Sequence, residues 1–296
     1  MHWIGYLIIF AVAFSIKDGI RKRSLTKFDN MAVLSLEFSA TFIIFLTIAV
    51  LTKVPLIINA YTLTFTGIGV LHGLGTVGKI NAMNISLSKT TLISKYNIFF
   101  PMLLGYLFLG ESTLLTFNSV PGFLKIFALT LLPVSIYLLQ NKNQDKNSKA
   151  STIWLWSMIQ FFVFHATLDF FVKTNINSDL VIQALVFQRF TAAAVTLMAA
   201  KFAKAKFPLR RQLYGVSFAN AALISISHFA SSTALITAPL VIYKPLSKML
   251  TVVTITFIGL FLFGEHKKIT SRNKWGYLVT SLGVLLLIVA EIIELS

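Results

Sequence analysis

The chain has 296 residues, 56% hydrophobic and only 12% charged, with a mean hydropathy of +0.79, a balance that excludes an ordinary soluble domain. Its net charge of +16 would suggest nucleic-acid binding in a soluble protein, but the basic residues sit mainly in short loops between apolar runs, so nucleic acid is not an expected partner. Cysteine is absent, which excludes disulfides, thiol chemistry and thiolate metal sites.

The apolar runs recur at about 20 residues, the length that crosses a hydrocarbon core of roughly 30 Å. In chain order they fall at 3–20, 31–52, 61–83, 88–110, 117–139, 152–172, 180–201, 212–236, 240–263 and 275–293. Each is expected to be a transmembrane helix, because lipid leaves open strand edges unsatisfied and the alternation of a barrel is absent. Met1-His2-Trp3 leads into the first run with no basic leader and no cleavage signal, so that span itself is the expected targeting signal to the cell (inner) membrane. The hydrophilic stretch Gln140-Asn-Lys-Asn-Gln-Asp-Lys-Asn-Ser-Lys149 divides five runs from five. The expected organisation is a first five-helix repeat over 1–140, a polar linker over 141–150 and a second repeat over 151–296. An odd number of spans per half turns the copies over relative to each other, which makes the repeat inverted.

A repeated phrase supports the duplication. Leu107-Phe-Leu-Gly-Glu111 closes the fourth run and Phe261-Leu-Phe-Gly-Glu265 the ninth. The shift of 154 that carries Gly110-Glu111 onto Gly264-Glu265 also carries Gly105 onto Gly259 and Gly122 onto Gly276. With small loop insertions, Lys17 corresponds to Lys173 and Phe38 to Phe190. Lysine and arginine crowd the loops after the odd-numbered spans (Arg21, Lys22, Arg23 and Lys27; Lys142, Lys146 and Lys149; Lys204, Lys206, Arg210 and Arg211; Lys267, Lys268, Arg272 and Lys274), against little beyond Lys53 and Lys173 on the other side. The positive-inside rule then places those loops in the cytoplasm and both termini outside.

Ten spans in two inverted halves, each closing its fourth span with Gly-Glu before a fifth span with an early glycine, resemble the drug/metabolite transporter (DMT) superfamily, most nearly its EamA-type branch. The resemblance covers nearly the whole chain and rests on Gly110-Glu111, Gly264-Glu265, Gly122, Gly276 and the Lys17 and Lys173 endings. It departs from the family where Pro101 lies much nearer Glu111 than Pro245 does to Glu265, so no shared kink position is carried over. The resemblance implies an all-α integral membrane carrier of small organic solutes, with a central cavity lined by both halves and alternating access by rocking. It also implies cytoplasmic termini, the reverse of the loop-charge count, and it implies no particular substrate.

Ionisable groups at membrane depth are costly and each is a functional hypothesis. The deep cations are Lys79, Lys95, Lys125, Arg189, Lys244 and Lys248, against the acids Glu37 and Asp169. Lys244, Lys248 and Thr251 share one helix face beside Pro245, with Thr254 at its rim. That face suits a wet cavity, or else the lysines snorkel and the threonines bond their own helix. Ser94, Lys95, Tyr96 and Asn97 precede Pro101 in the fourth span. The expected substrate-binding set is Lys79, Lys95, Tyr96, Asn97, Lys244, Lys248, Thr251 and Thr254. His165, Asp169 and Lys173 follow at successive steps of four, either as a proton relay or as an Asp169–Lys173 neutralising pair with a packed histidine. Glu37 and Arg189 precede the repeat-matched phenylalanines, and an ion pair between them would form a lock or a gate. His165, Asp169, Glu37 and Arg189 are therefore the proton-coupling or gating candidates. Glu111 and Glu265 read as packing or hairpin residues.

Gly73-Leu-Gly75-Thr-Val-Gly78 matches the dinucleotide fingerprint, but no strand precedes it; Gly69 and Gly73 read instead as a small-residue helix contact. No metalloprotease, serine-hydrolase or Walker motif occurs, so neither an enzyme nor a cofactor is expected, and transport should run on solute or ion gradients. The excess of deep cations favours an anionic or zwitterionic metabolite as the small-molecule substrate. The alternatives are a proton-coupled exporter of cationic or aromatic amphiphiles, lined by some of the 27 phenylalanines, a non-transporting structural membrane subunit, or an intramembrane enzyme using His165 and Asp169.

Overall fold

The computed structural model describes residues 2–24, 28–85, 90, 94–138, 152–208, 210–262 and 271–295. These residues form helices α1 (Trp3–Ser24), α2 (Asn30–Leu51), α3 (Ala60–Ile85), α4 (Phe99–Phe108), α5 (Val120–Leu138), α6 (Thr152–Asn175), α7 (Val181–Phe202), α8 (Arg211–Thr237), α9 (Leu240–Leu262) and α10 (Ser271–Leu295). Short 3-10 turns occupy Ser94–Ile98, Glu111–Leu114 and Ser178–Leu180, and no strand occurs among the described residues. Among the described residues six segments are long and apolar enough to cross a membrane: Trp3–Arg21, Asn30–Leu51, Thr152–Asn175, Ser178–Phe202, Arg211–Thr237 and Lys274–Glu294. Large apolar side chains such as Ile43, Leu63, Phe218 and Leu285 are exposed, as a membrane-embedded all-α protein requires and a soluble one avoids. The polar linker and the Gly264-Glu265 copy of the repeated phrase lie outside the described residues.

Local chemistry sets the helix ends. The Asp29 carboxylate accepts from the backbone N–H groups of Met31 (2.9 Å) and Ala32 (3.2 Å) and caps α2. The fourth apolar run is not one continuous α-helix: a 3-10 turn precedes α4, and Pro101 sits in the first turn of α4, where its missing N–H costs no helix bond. At the other end of α4, Gly110 turns the chain at φ 69°, a conformation that favours glycine. The turn swings Glu111 back under the chain. Its Oε1 accepts from Leu240 N–H and its Oε2 from Val241 N–H, both at 2.8 Å, so a buried carboxylate caps the start of α9. Gly105 leaves room for it, since a Cβ there would stand 2.6 Å from Glu111 Oε2. The repeated phrase thus has a mechanical meaning in its first copy: glycine to turn, glutamate to cap a helix of the other half.

Helix α3 packs against α6 and α7, and α8 against α1 and α2; α2 meets α7, α4 meets α9 and α5 meets α10. The glycine run of α3 makes its contacts close. A Cβ on Gly69 would lie 2.3 Å from the Gln188 carbonyl, one on Gly73 would lie 2.8 Å from Val195, and one on Gly78 would lie 2.8 Å from the Ser157 carbonyl. Side chains then stitch the helices through backbone carbonyls: Thr191 donates to Thr66 and Gln160 to Leu74, both at 2.8 Å. At the α5–α10 contact the fully buried Lys125 is met by Glu291 at 3.0 Å and by Glu294.

Candidate functional site: a divided, cation-rich cavity

A cavity of about 770 Å³ opens among α1, α2, α3, α6, α7 and α8. Each wall is a helix face with its own periodicity. Phe14, Lys17, Asp18 and Arg21 come from α1 at steps of three and four, and His72, Thr76, Lys79 and Met83 from α3. Ser227 and His228 come from α8, Glu37 and Phe38 from α2, and Arg189 from α7. A second space of about 250 Å³ continues toward α4 and α9, bordered by Asn97, Asp169, Lys244, Lys248 and Thr251. The two share Phe14, His72, Lys79, His165 and His228. The division between them is therefore a cluster of three imidazoles, with His72 5.6 Å from His165 and 5.3 Å from His228, ring centre to ring centre. The Nδ1 atoms of His72 and His165 have no hydrogen-bond partner, and no metal-holding group of three His, Asp or Glu residues exists among the described residues. Gly75 makes room for this cluster, because a Cβ there would lie 2.3 Å from His165 Nδ1.

The charges separate into paired and unpaired. Lys17 lies 2.7 Å from Asp18 and its ammonium stands 3.6 Å above the centre of the Phe14 ring. Glu37, fully buried, accepts from Asn220 Nδ2 at 2.8 Å and lies 3.7 Å from Arg21. Asp169 is paired with Lys244 at 2.6 Å. In the larger cavity two cations make no salt bridge to a carboxylate among the described residues: Lys79, 5.5 Å from the Phe161 ring centre, and Arg189, fully buried 5.5 Å from that of Phe38. The Nε and Nη2 atoms of Arg189 have no hydrogen-bond partner among the described residues.

Several expected arrangements come out differently. Glu37 pairs with Arg21 and Asn220 rather than with Arg189. Asp169 pairs with Lys244 across helices instead of with Lys173, whose ammonium reaches the Ile236 carbonyl at 3.3 Å. For Asp169, a side chain on a neighbouring helix approaches more directly than the one four residues along. Thr251 and Thr254 donate to the carbonyls of Ser247 and Leu250, and Thr254 also shares a 2.6 Å bond with Ser15; Thr251 borders the smaller space and Thr254 borders neither. Phe38 is buried under Arg189, whereas Phe190 is exposed and faces Phe42, so the repeat-matched phenylalanines occupy different surroundings. Lys95 and Tyr96 belong to the 3-10 turn by backbone, and their side chains lie outside the described residues.

The cavity also contains residues that the sequence reading passed over: Lys17, Asp18, Arg21, His228 and Ser227. The signal was present as the steps of three and four through Phe14, Lys17, Asp18 and Arg21, which were counted only as the end of a span and a basic loop.

No protein-family model matches the sequence, and no curated protein matches it. In fold the chain is similar to a solved structure described as "Crystal structure of protein", with a TM-score of 0.76 at 11% identity over 99% of this chain and 100% of the other. That likeness concerns the fold alone. It adds a full-length precedent for this helical arrangement.

Proposed function

We propose that the chain is a secondary transporter of a small organic solute, anionic or zwitterionic, built on the EamA-type plan of two inverted five-helix repeats with ten crossings and working by alternating access. The observation that carries this reading is the cavity of about 770 Å³ lined from both halves of the chain, in which Lys79 and Arg189 have no carboxylate partner among the described residues. Buried charge without a counter-charge is expensive, so a solute that supplies one is the economical explanation. The packing order supports the repeat. Exchanging the halves turns the α3–α6 contact into α8–α1 and α3–α7 into α8–α2, while α2–α7, α4–α9 and α5–α10 map onto themselves. In this reading the histidine cluster separates two portions of the solute pathway, and the Asp169–Lys244 pair borders the inner one.

The test is solute exchange by the purified full chain in proteoliposomes, using a panel of carboxylates, phosphate esters, amino acids and aromatic amines. Counterflow of anionic or zwitterionic members supports the reading. Exchange confined to cationic amines would favour the amphiphile exporter, and no exchange with any member would favour a non-transporting subunit.

A further inference from the structure

Of the unpaired groups in the cavity, Arg189 has the most specific geometry. The two atoms left without partners, Nε and Nη2, form one edge of the guanidinium, where two N–H bonds point the same way. That edge matches the two oxygens of a carboxylate, which accept from it in parallel. Phe38 flanks the guanidinium and Asn220 holds Glu37 toward Arg21, so that buried edge meets no acceptor among the described residues.

Lys79, lining the same cavity, makes no salt bridge among the described residues; the nearby Asp18 carboxylate is paired with Lys17. His72 stacks edge-on against Phe38 at 5.2 Å, and Phe38 in turn underlies Arg189. Lys79 lies seven residues beyond His72 on the same face of α3, roughly 10 Å along the axis at a rise of about 1.5 Å per residue. Around the cavity, Lys17 is matched by Asp18 and Arg21 by Glu37, which leaves two positive charges in excess.

We infer that the solute of this cavity is a small organic dianion of the dicarboxylate type, one carboxylate held side-on by the Nε/Nη2 edge of Arg189 and the other neutralised by Lys79. This rests on the carrier reading and narrows its substrate. Arg189 fixes the orientation of one planar group, and Lys79, a point charge, sets the requirement for a second charge and tolerates a range of chain lengths.

Binding to the purified full chain tests this, measured by calorimetry with succinate, glutarate and adipate, the mono-amide succinamate, acetate and inorganic phosphate. A diacid should bind at least about tenfold more tightly than succinamate or acetate. R189Q should lose about tenfold or more, and R189K, which keeps the charge without the fork, should lose nearly as much. K79Q should bind diacid and succinamate alike. Unaltered diacid affinity in both Arg189 variants, or phosphate or acetate binding as tightly as the diacid in the parent protein, overturns the inference. Should diacids fail to bind while another solute still exchanges in proteoliposomes, the dianion assignment falls and the carrier stands; should nothing exchange, the carrier reading itself falls.

Discussion

Lys125 and Arg189 are both fully buried cations on helices of the same chain, and their surroundings are opposite. Lys125, at the α5–α10 contact, is enclosed by two carboxylates, Glu291 and Glu294. Arg189, on α7, faces a cavity with an aromatic ring beside it and two N–H groups unanswered. The first arrangement is complete within the protein and holds two helices together. The second has no counter-charge among the described residues, which is the place the proposed solute would fill. Burial of charge alone therefore does not single out a candidate site; burial without a matched carboxylate, at the wall of a cavity, is what separates Arg189 from Lys125.

Substitutions that treat the two cations alike should break or sharpen this contrast. K125M strands Glu291, whose carboxylate is largely shielded, and should lower stability by about 3–5 kcal/mol, seen as a fall in melting temperature in detergent. E111A removes the acceptor for two backbone N–H groups at the start of α9 and should cost about 2–3 kcal/mol in the same assay without altering the charge of the cavity. G69A drives a methyl against the Gln188 carbonyl and should cost about 1–3 kcal/mol by prising α3 from α7. T254A loses the bond to Ser15 and should cost no more than about 1 kcal/mol. R189M is the sharpest comparison, because removing an unmatched charge should leave stability unchanged or raise it by up to about 1 kcal/mol, read as the melting temperature, while weakening solute binding by about tenfold or more. A fall for R189M as large as that for K125M would mean that Arg189 is a structural residue with a partner after all.

The helical plan was legible because lipid imposes a strong constraint: the apolar runs at 31–52, 180–201 and 212–236 correspond within two residues to α2, α7 and α8. The fourth run was legible only as apolar, since hydropathy does not distinguish a 3-10 turn followed by a Pro101-initiated helix from one long helix. The glycine face of α3 was readable from spacing, and its partners were not. For the site, depth singled out Lys79, Arg189, Lys244, Lys248, Glu37 and Asp169, which border the cavity or its extension, but also Lys125, which does not; four-residue spacing added His165, which does. Pairing was not readable, because Asp169 with Lys244 and Glu37 with Arg21 are contacts between helices whose relative rotation no single-helix periodicity contains. Arg21 was read as an orienting loop charge, which the positive-inside rule explains equally well, so its place opposite Glu37 needed coordinates.

A cavity that serves as the proposed solute pathway must be exposed in turn to each side of the membrane, and the cysteine-free chain allows a direct measurement. A single thiol introduced as T76C, on the cavity face of α3, should react with a membrane-impermeant maleimide applied from either side of reconstituted vesicles and be protected by the transported solute. Reaction from one side only, unchanged by any solute that the vesicles exchange, would contradict alternating access through this cavity.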